Sequence, residues 1–262
     1  MKRLTLMLVL GLCSLAHADD AQKVLDCMRS NLPSSLRVQN VELTTTGQSA
    51  GTRVLRGKLY GLRENNKGGG ASHVRAMLRV QDPANLAGSA FLLREAAKLS
   101  DQGMYVYLPS VRRVRRITGE FADGALLGSA FSYQDFKQLQ NAFDGLSTTQ
   151  EAPQVLEQRP VYVLSSTPVA GASSAYGRIR SWVDQQTCMP LKVEFYQNKS
   201  LRKQLTIPAA ALKQSNNYWY ASEVSIHDFK DGSSSQLRVL GVDGGGKLSK
   251  NYFDPGLFYL GG

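Results

Sequence analysis

Along much of this chain the apolar residues recur at every second position. Between Ser72 and Gln81, Val74, Ala76, Leu78 and Val80 face one way and Arg75 and Arg79 the other, the period of a strand with one buried face. Similar extended runs lie at Thr52 to Arg63, Ala90 to Arg94, Met104 to Leu108, Val111 to Thr118, Val161 to Ser165, Tyr176 to Val183, Leu191 to Tyr196, Leu201 to Ile207, Tyr218 to Ile226 and Gln236 to Val242. That makes about eleven strands, separated by glycine and polar turns such as NNKGGG at Asn65 to Gly70. Helical spacing is confined to two places. From Asp19 to Leu32, Val24, Leu25 and Met28 form a stripe, Asp19 and Asp20 complement the positive helix end, and Pro33 stops the run. From Asp135 to Phe143, Phe136, Leu139 and Phe143 keep helical spacing and Gly145 follows. The pattern predicts an α+β fold with one strongly curved antiparallel sheet, on which the aromatic tail residues Phe253, Phe258 and Tyr259 dock.

The N-terminus changes the picture of where this sheet folds. Lys2 and Arg3, the apolar run Leu4 to Leu15 and the ending Ala16-His17-Ala18 read as a secretory signal over residues 1–18, cleaved after Ala18. The apolar run is too short to span a bilayer. A lipoprotein signal at Cys13 is the rival reading, opposed by Leu12 where a small residue is needed. The mature chain, 19–262, reads as one domain with no repeat or interdomain linker. The formal charge of +10 falls by the two units of Lys2 and Arg3 on cleavage. In a secreted chain without a nucleic-acid-binding motif, this charge points to anionic lipid headgroups or acidic proteins, not to nucleic acid.

Two cysteines remain after cleavage, Cys27 and Cys188, and in an oxidising compartment the simplest reading is a disulfide. Their spacing does not suit zinc, and His73 and His227 read as ordinary strand or surface residues; no metal or cofactor is expected. Nor is a catalytic constellation legible. Ser166, Ser173 and Ser222 lack a nucleophile-elbow context, and Gly68-Gly69-Gly70 lacks the Lys-Ser or Lys-Thr of a phosphate loop. The expectation is a binding protein, not an enzyme.

The run from Met104 to Phe136 carries the densest information. Val111 to Ile117 holds four arginines in five positions, Arg112, Arg113, Arg115 and Arg116. As one strand it would put Arg113 and Arg115 on one face and Arg112 and Arg116 on the other, with Glu120, Asp123 or Asp135 as candidate partners for any turned inward. Beyond it, Gly119, Gly124 and Gly128 punctuate a small apolar segment suited to a mobile cover.

The pattern YLP-x-x-RRVRRI from Tyr107, then G-x-x-x-x-G-x-L-x-G-S from Gly119 and F-S-Y-x-D from Phe131, resembles the signature of the LolA-like outer-membrane lipoprotein-sorting family of Gram-negative periplasmic proteins. GSAFLLRE (Gly88 to Glu95) and SWVDQQTCMPLKVEFY (Ser181 to Tyr196) match its order and spacing, so the resemblance spans most of the mature chain. Ala130 departs from it, standing where a polar or acidic residue is expected. The resemblance implies an incomplete, half β-barrel whose concave face is covered by helices, and a monomeric carrier for lipoprotein acyl chains, lipid or other apolar cargo moving toward the outer membrane. An inner-membrane transporter and an outer-membrane acceptor are the implied partners. The alternative is an accessory or regulatory lipid-sensing protein working with an inner-membrane transporter or signalling protein. On this reading Leu126, Leu127, Phe131, Phe121 and Tyr107 line the cavity or its cover, and Arg112, Arg113, Arg115 and Arg116 meet a headgroup or partner.

Overall fold

The computed structural model describes residues 13–47, 51–65, 72–96, 102–143, 145–172, 174–244, 249 and 251–260. Its elements run α1 (Cys13–Ser30), β1 (Arg37–Gly47), β2 (Gly51–Glu64), β3 (His73–Asp82), β4 (Ala90–Arg94), β5 (Gly103–Leu108), β6 (Arg113–Ile117), α2 (Tyr133–Leu139), β7 (Leu146–Leu156) and β8 (Arg159–Pro168). There follow β9 (Arg178–Asp184), β10 (Pro190–Gln197), β11 (Ser200–Thr206), β12 (Leu212–Ser215), β13 (Tyr218–Ala221), β14 (Glu223–Asp228) and β15 (Ser234–Gly244). Thirteen strands pair antiparallel in the order β6-β5-β4-β3-β2-β1-β15-β14-β11-β10-β9-β8-β7, and β12 and β13 form a separate hairpin.

This sheet curls, and α2 measures how far. Phe136 packs edge-on against Phe91 of β4, with ring centroids 5.1 Å apart. The adjacent Asp135 accepts a hydrogen bond from Lys203 of β11 at 2.8 Å. Six strand steps separate β4 from β11 in sheet order, roughly 29 Å if the sheet were flat. Only a sheet wrapped around α2 brings both to neighbouring residues. The sheet does not close, since no pairing joins β6 to β7 among the described residues.

Cross-strand partners share a face, so the register sorts the side chains. Leu43 opposite Leu55, Leu59 opposite Leu78, Leu78 opposite Phe91 and Phe91 opposite Val106 line the inner face. Tyr60 opposite Met77 and Met77 opposite Leu92 line the outer one. The tail covers that outer face as its aromatics predict: Phe258 is fully buried, and Tyr252 lies 4.8 Å from Tyr60. Over the inner surface, Val24, Leu25 and Met28 of α1 pack with Leu164 and Val183, and Cys27 is disulfide-bonded to Cys188 with Cα atoms 5.7 Å apart. Arg29, in the last turn of α1, pairs with Glu95 at 3.3 Å and donates to the Asn141 carbonyl at 3.2 Å.

The strand count exceeds the sequence expectation for physical reasons. In β1 the inward positions include Arg37, Gln39 and Thr45, so the apolar alternation is broken. β7 is a polar edge strand with Pro153 at its bulge, a place where proline is tolerated. β12 turns into β13 through Asn216 and Asn217, both at positive φ, a left-handed pair that suits a two-residue hairpin. The run Tyr218 to Ile226 is two strands, because at Ser222 the chain leaves the hairpin for the main sheet. α1 ends at Ser30, ahead of Pro33, and α2 starts earlier than expected because Ser132 and Asp135 form a capping box, with Asn141 at φ 57° beyond its end. Most of the NNKGGG turn and residues 1–12 lie outside the described residues.

Candidate functional site

The inner face is closed by the connection between β6 and β7. A bridge pairs Ala125 with Ser132, the Leu126 N–H donates to the Phe131 carbonyl at 2.7 Å, and the Ser129 hydroxyl donates to the Leu126 carbonyl at 2.8 Å. This compact loop drives Leu126 and Phe131 into the core, 2% and 3% exposed, beside Phe136. Leu127, at φ 51°, stays at the mouth of the interior and faces a groove of about 360 Å³ bounded by Leu43, Leu55, Leu86 and Arg53. Phe121 is 76% exposed. Tyr107 does not line the interior: opposite Ala90 and Val114 it faces outward, stacked on Tyr259 at 4.0 Å. Behind the cover, its own apolar side chains Leu126, Phe131 and Phe136 pack into the core. The cavity in the covered core has about 70 Å³.

A buried polar network fastens the cover. Lys203 of β11, 3% exposed, donates to the Ala130 carbonyl at 2.9 Å and to Asp135 at 2.8 Å. The second oxygen of Asp135 accepts from the Tyr176 hydroxyl at 2.7 Å. Burial and the Asp135 charge push the Tyr176 phenol far up, so it stays a donor. Asp228 is held below its ordinary value: burial opposes this, but the Arg202 hydrogen bonds, the Lys230 N–H and the Lys203 charge prevail. Asp123 lies 3.8 Å from Arg202, and burial lifts its pKa despite Arg202 and Lys203. The Ala130 N–H donates to Ser235 at 2.9 Å, and Arg53 reaches the Gly128 carbonyl. Ala130 thus acts through its backbone, which explains why a small side chain serves there.

The four arginines stand elsewhere. Arg112 belongs to the turn before β6, at φ 48°, which shortens the expected strand. Arg113 and Arg115 lie on the inward side of the edge strand, opposite Leu108 and Val106; Arg116 faces outward over Tyr105 and donates to the Gln102 carbonyl at 2.6 Å. All four are exposed, and among the described residues no carboxylate pairs with them. Asp123 and Asp135, the partners expected from sequence, are taken by Arg202 and Lys203. The side chain of Glu120 lies outside the described residues.

A family model described as "-like: Uncharacterized protein" matches residues 72–257, more than half of the chain. The chain belongs to this family. No curated protein matches it. Among solved structures, a DUF1329 family protein from Desulfovibrio piger superposes with a TM-score of 0.79 at 20% identity, over 91% of this chain and 97% of that one. A putative outer membrane lipoprotein-sorting protein domain from Vibrio parahaemolyticus gives 0.78 at 22%, over 92% and 99%. A LolA superfamily protein from Nitrosomonas europaea gives 0.67 at 19%, over 89% and 96%. The fold of this family member is LolA-like.

Sequence reasoning missed Lys203, Asp228, Arg202 and Tyr176. A lysine at an inward strand position, flanked two residues on by the buried Leu205, is the signal that could have found the first. No group of three or more His, Cys, Asp or Glu among the described residues is placed to hold a metal, and no described helix is long and apolar enough to cross a membrane.

Proposed function

We propose that this protein is a periplasmic carrier that holds the acyl part of a lipoprotein, or other apolar cargo, between the inner face and its cover, without covalent chemistry. The observation that carries this reading is the manner of closure. Beside α1, a curled apolar face is shut by a segment whose Leu126, Phe131 and Phe136 fill the interior, and that segment is fastened through Lys203. Returning three such side chains to water costs about 1.5 to 3 kcal/mol each. A chain of about fourteen methylenes contributes roughly 11 kcal/mol on burial, so cargo can take their place. The cover is in effect an internal substitute for cargo.

The LolA-like fold supports this, as does the name of the Vibrio relative, a lipoprotein-sorting domain. The exposed arginines at β6 suit anionic headgroups or an acidic membrane partner, whether the transporter that delivers cargo or the acceptor that receives it. Leu127 is the cover residue to perturb, since it borders the groove and stays out of the buried core. Mass spectrometry of material co-purifying with the monomeric periplasmic protein is expected to find acylated protein or lipid, and Leu127→Glu to lose it while unfolding close to wild type. Folded protein that captures neither lipoproteins nor acyl probes refutes the carrier reading. Stable capture of an inner-membrane protein without lipid would favour an accessory role.

A further inference from the structure

Of the three polar inward positions of β1, two open onto the core cavity. Arg37 and Gln39 stand opposite Gly61 and Leu59, on the face that carries Val41 and Leu43. The cavity of about 70 Å³ is bounded by them, by Asn31 and Tyr220, and by apolar walls that include Leu139 and Trp219. Gly61, opposite Arg37, packs tightly: a Cβ there would meet Leu32 Cδ1 at 3.2 Å.

Arg37 makes one hydrogen bond, to the Asn31 carbonyl at 3.1 Å, and no carboxylate pairs with it among the described residues. Burial lowers its pKa to about 10, with Tyr220 opposing. Gln39 is 6% exposed and presents a polar side chain to the same cavity. A half-buried guanidinium with one hydrogen bond and no anion beside it keeps donors free for a ligand's carboxylate. On the scale where one water takes about 10 to 15 Å³ of such space, the cavity has room for a carboxylate.

We infer that Arg37 and Gln39 form the receptor for the carboxylate end of a single acyl chain whose apolar part takes the place of the cover's side chains. A guanidinium receives a carboxylate through two parallel N–H donors, and the Gln39 amide adds a third. This rests on the carrier reading and narrows its cargo to a free acid.

The test uses dodecanoate and its methyl ester as probes, read through the fluorescence of Trp219 in the cavity wall. Wild type is expected to prefer the acid by about 10- to 100-fold, the worth of a charge-assisted bond. Arg37→Met erases that preference by weakening the acid alone; Gln39→Leu, which leaves the charge in place, weakens the acid several-fold. Wild type that binds acid and ester equally, or an Arg37→Met protein that keeps the preference, overturns the inference and leaves the carrier intact. Folded wild type that binds neither probe overturns both.

Discussion

Replacing Lys203 with Met removes the ammonium that ties the cover to β11 and keeps most of the side-chain volume. Its hydrogen bonds to Ala130 and Asp135, at 2.9 and 2.8 Å, disappear together. Asp135, fully buried, keeps donors from Tyr176 and from the Ser132 N–H, and Asp228 keeps Arg202. Breaking a buried pair by removing one partner costs about 3 to 5 kcal/mol, and the surviving donors put this case near 3. For a chain of this size that is a fall in Tm of about 6 to 12 °C. Urea unfolding of Lys203→Met, Asp135→Asn and the double variant gives the coupling energy directly. Hydrogen exchange is expected to accelerate from Ser132 to Phe136 while β2 and β3 stay protected. A cost below about 1 kcal/mol, or exchange that rises equally everywhere, refutes the latch.

Cys27→Ser with Cys188→Ser releases a 161-residue separation and is expected to cost up to about 5 kcal/mol in urea; reductant must lower wild type similarly and leave the variant unchanged. Asp184 is held below its ordinary value, since the Arg159 and Thr187 hydrogen bonds outweigh the upward push of burial. Its stabilisation is therefore full above about pH 4 and lost as pH falls through the lower folded value, so Asp184→Asn lowers stability at pH 7 and flattens that acid limb. Asp123 runs the other way: burial raises it, stability falls as pH climbs from the unfolded value through the raised one, and Asp123→Asn removes that slope at little cost at pH 7. Arg113→Gln with Arg115→Gln is expected to weaken association with anionic vesicles at low salt and not at high salt, whereas Arg112→Gln has a smaller effect; salt-independent binding in wild type refutes the electrostatic role.

The strands that the sequence made legible are those with an apolar inner face and a charged outer one, β3 above all. β1 escaped because Arg37, Gln39 and Thr45 point inward, and β7 because an edge strand with Pro153 has no need of the alternation. The same physics hid the candidate site. A polar residue on an inner face cannot be told from an outward one until the chain is folded, and only then do Lys203 and Arg37 prove to be answering a cover and opening onto a cavity. The arginine run was conspicuous for the opposite reason, being solvated at the sheet's edge. Its alternation failed at Arg112, where the turn consumes a residue. Tyr107 was misplaced by the same one-residue logic, since neighbours along a strand face opposite ways.

The latch and the proposed cargo compete for one interior, which gives Lys203→Met a second consequence with the reverse sign. If Leu126, Phe131 and Phe136 must leave before a chain enters, apparent affinity equals the intrinsic affinity multiplied by the open fraction. A latch worth about 3 kcal/mol suppresses that fraction by about 150-fold. Lys203→Met is therefore expected to bind an acyl probe up to about 100-fold more tightly while being less stable to urea. A variant that merely frays would lose affinity and stability together. Titration of the same probe into both proteins, under conditions where each is folded, separates the two cases: tighter binding by the less stable protein supports a cover that stands in for cargo, and parallel losses refute it.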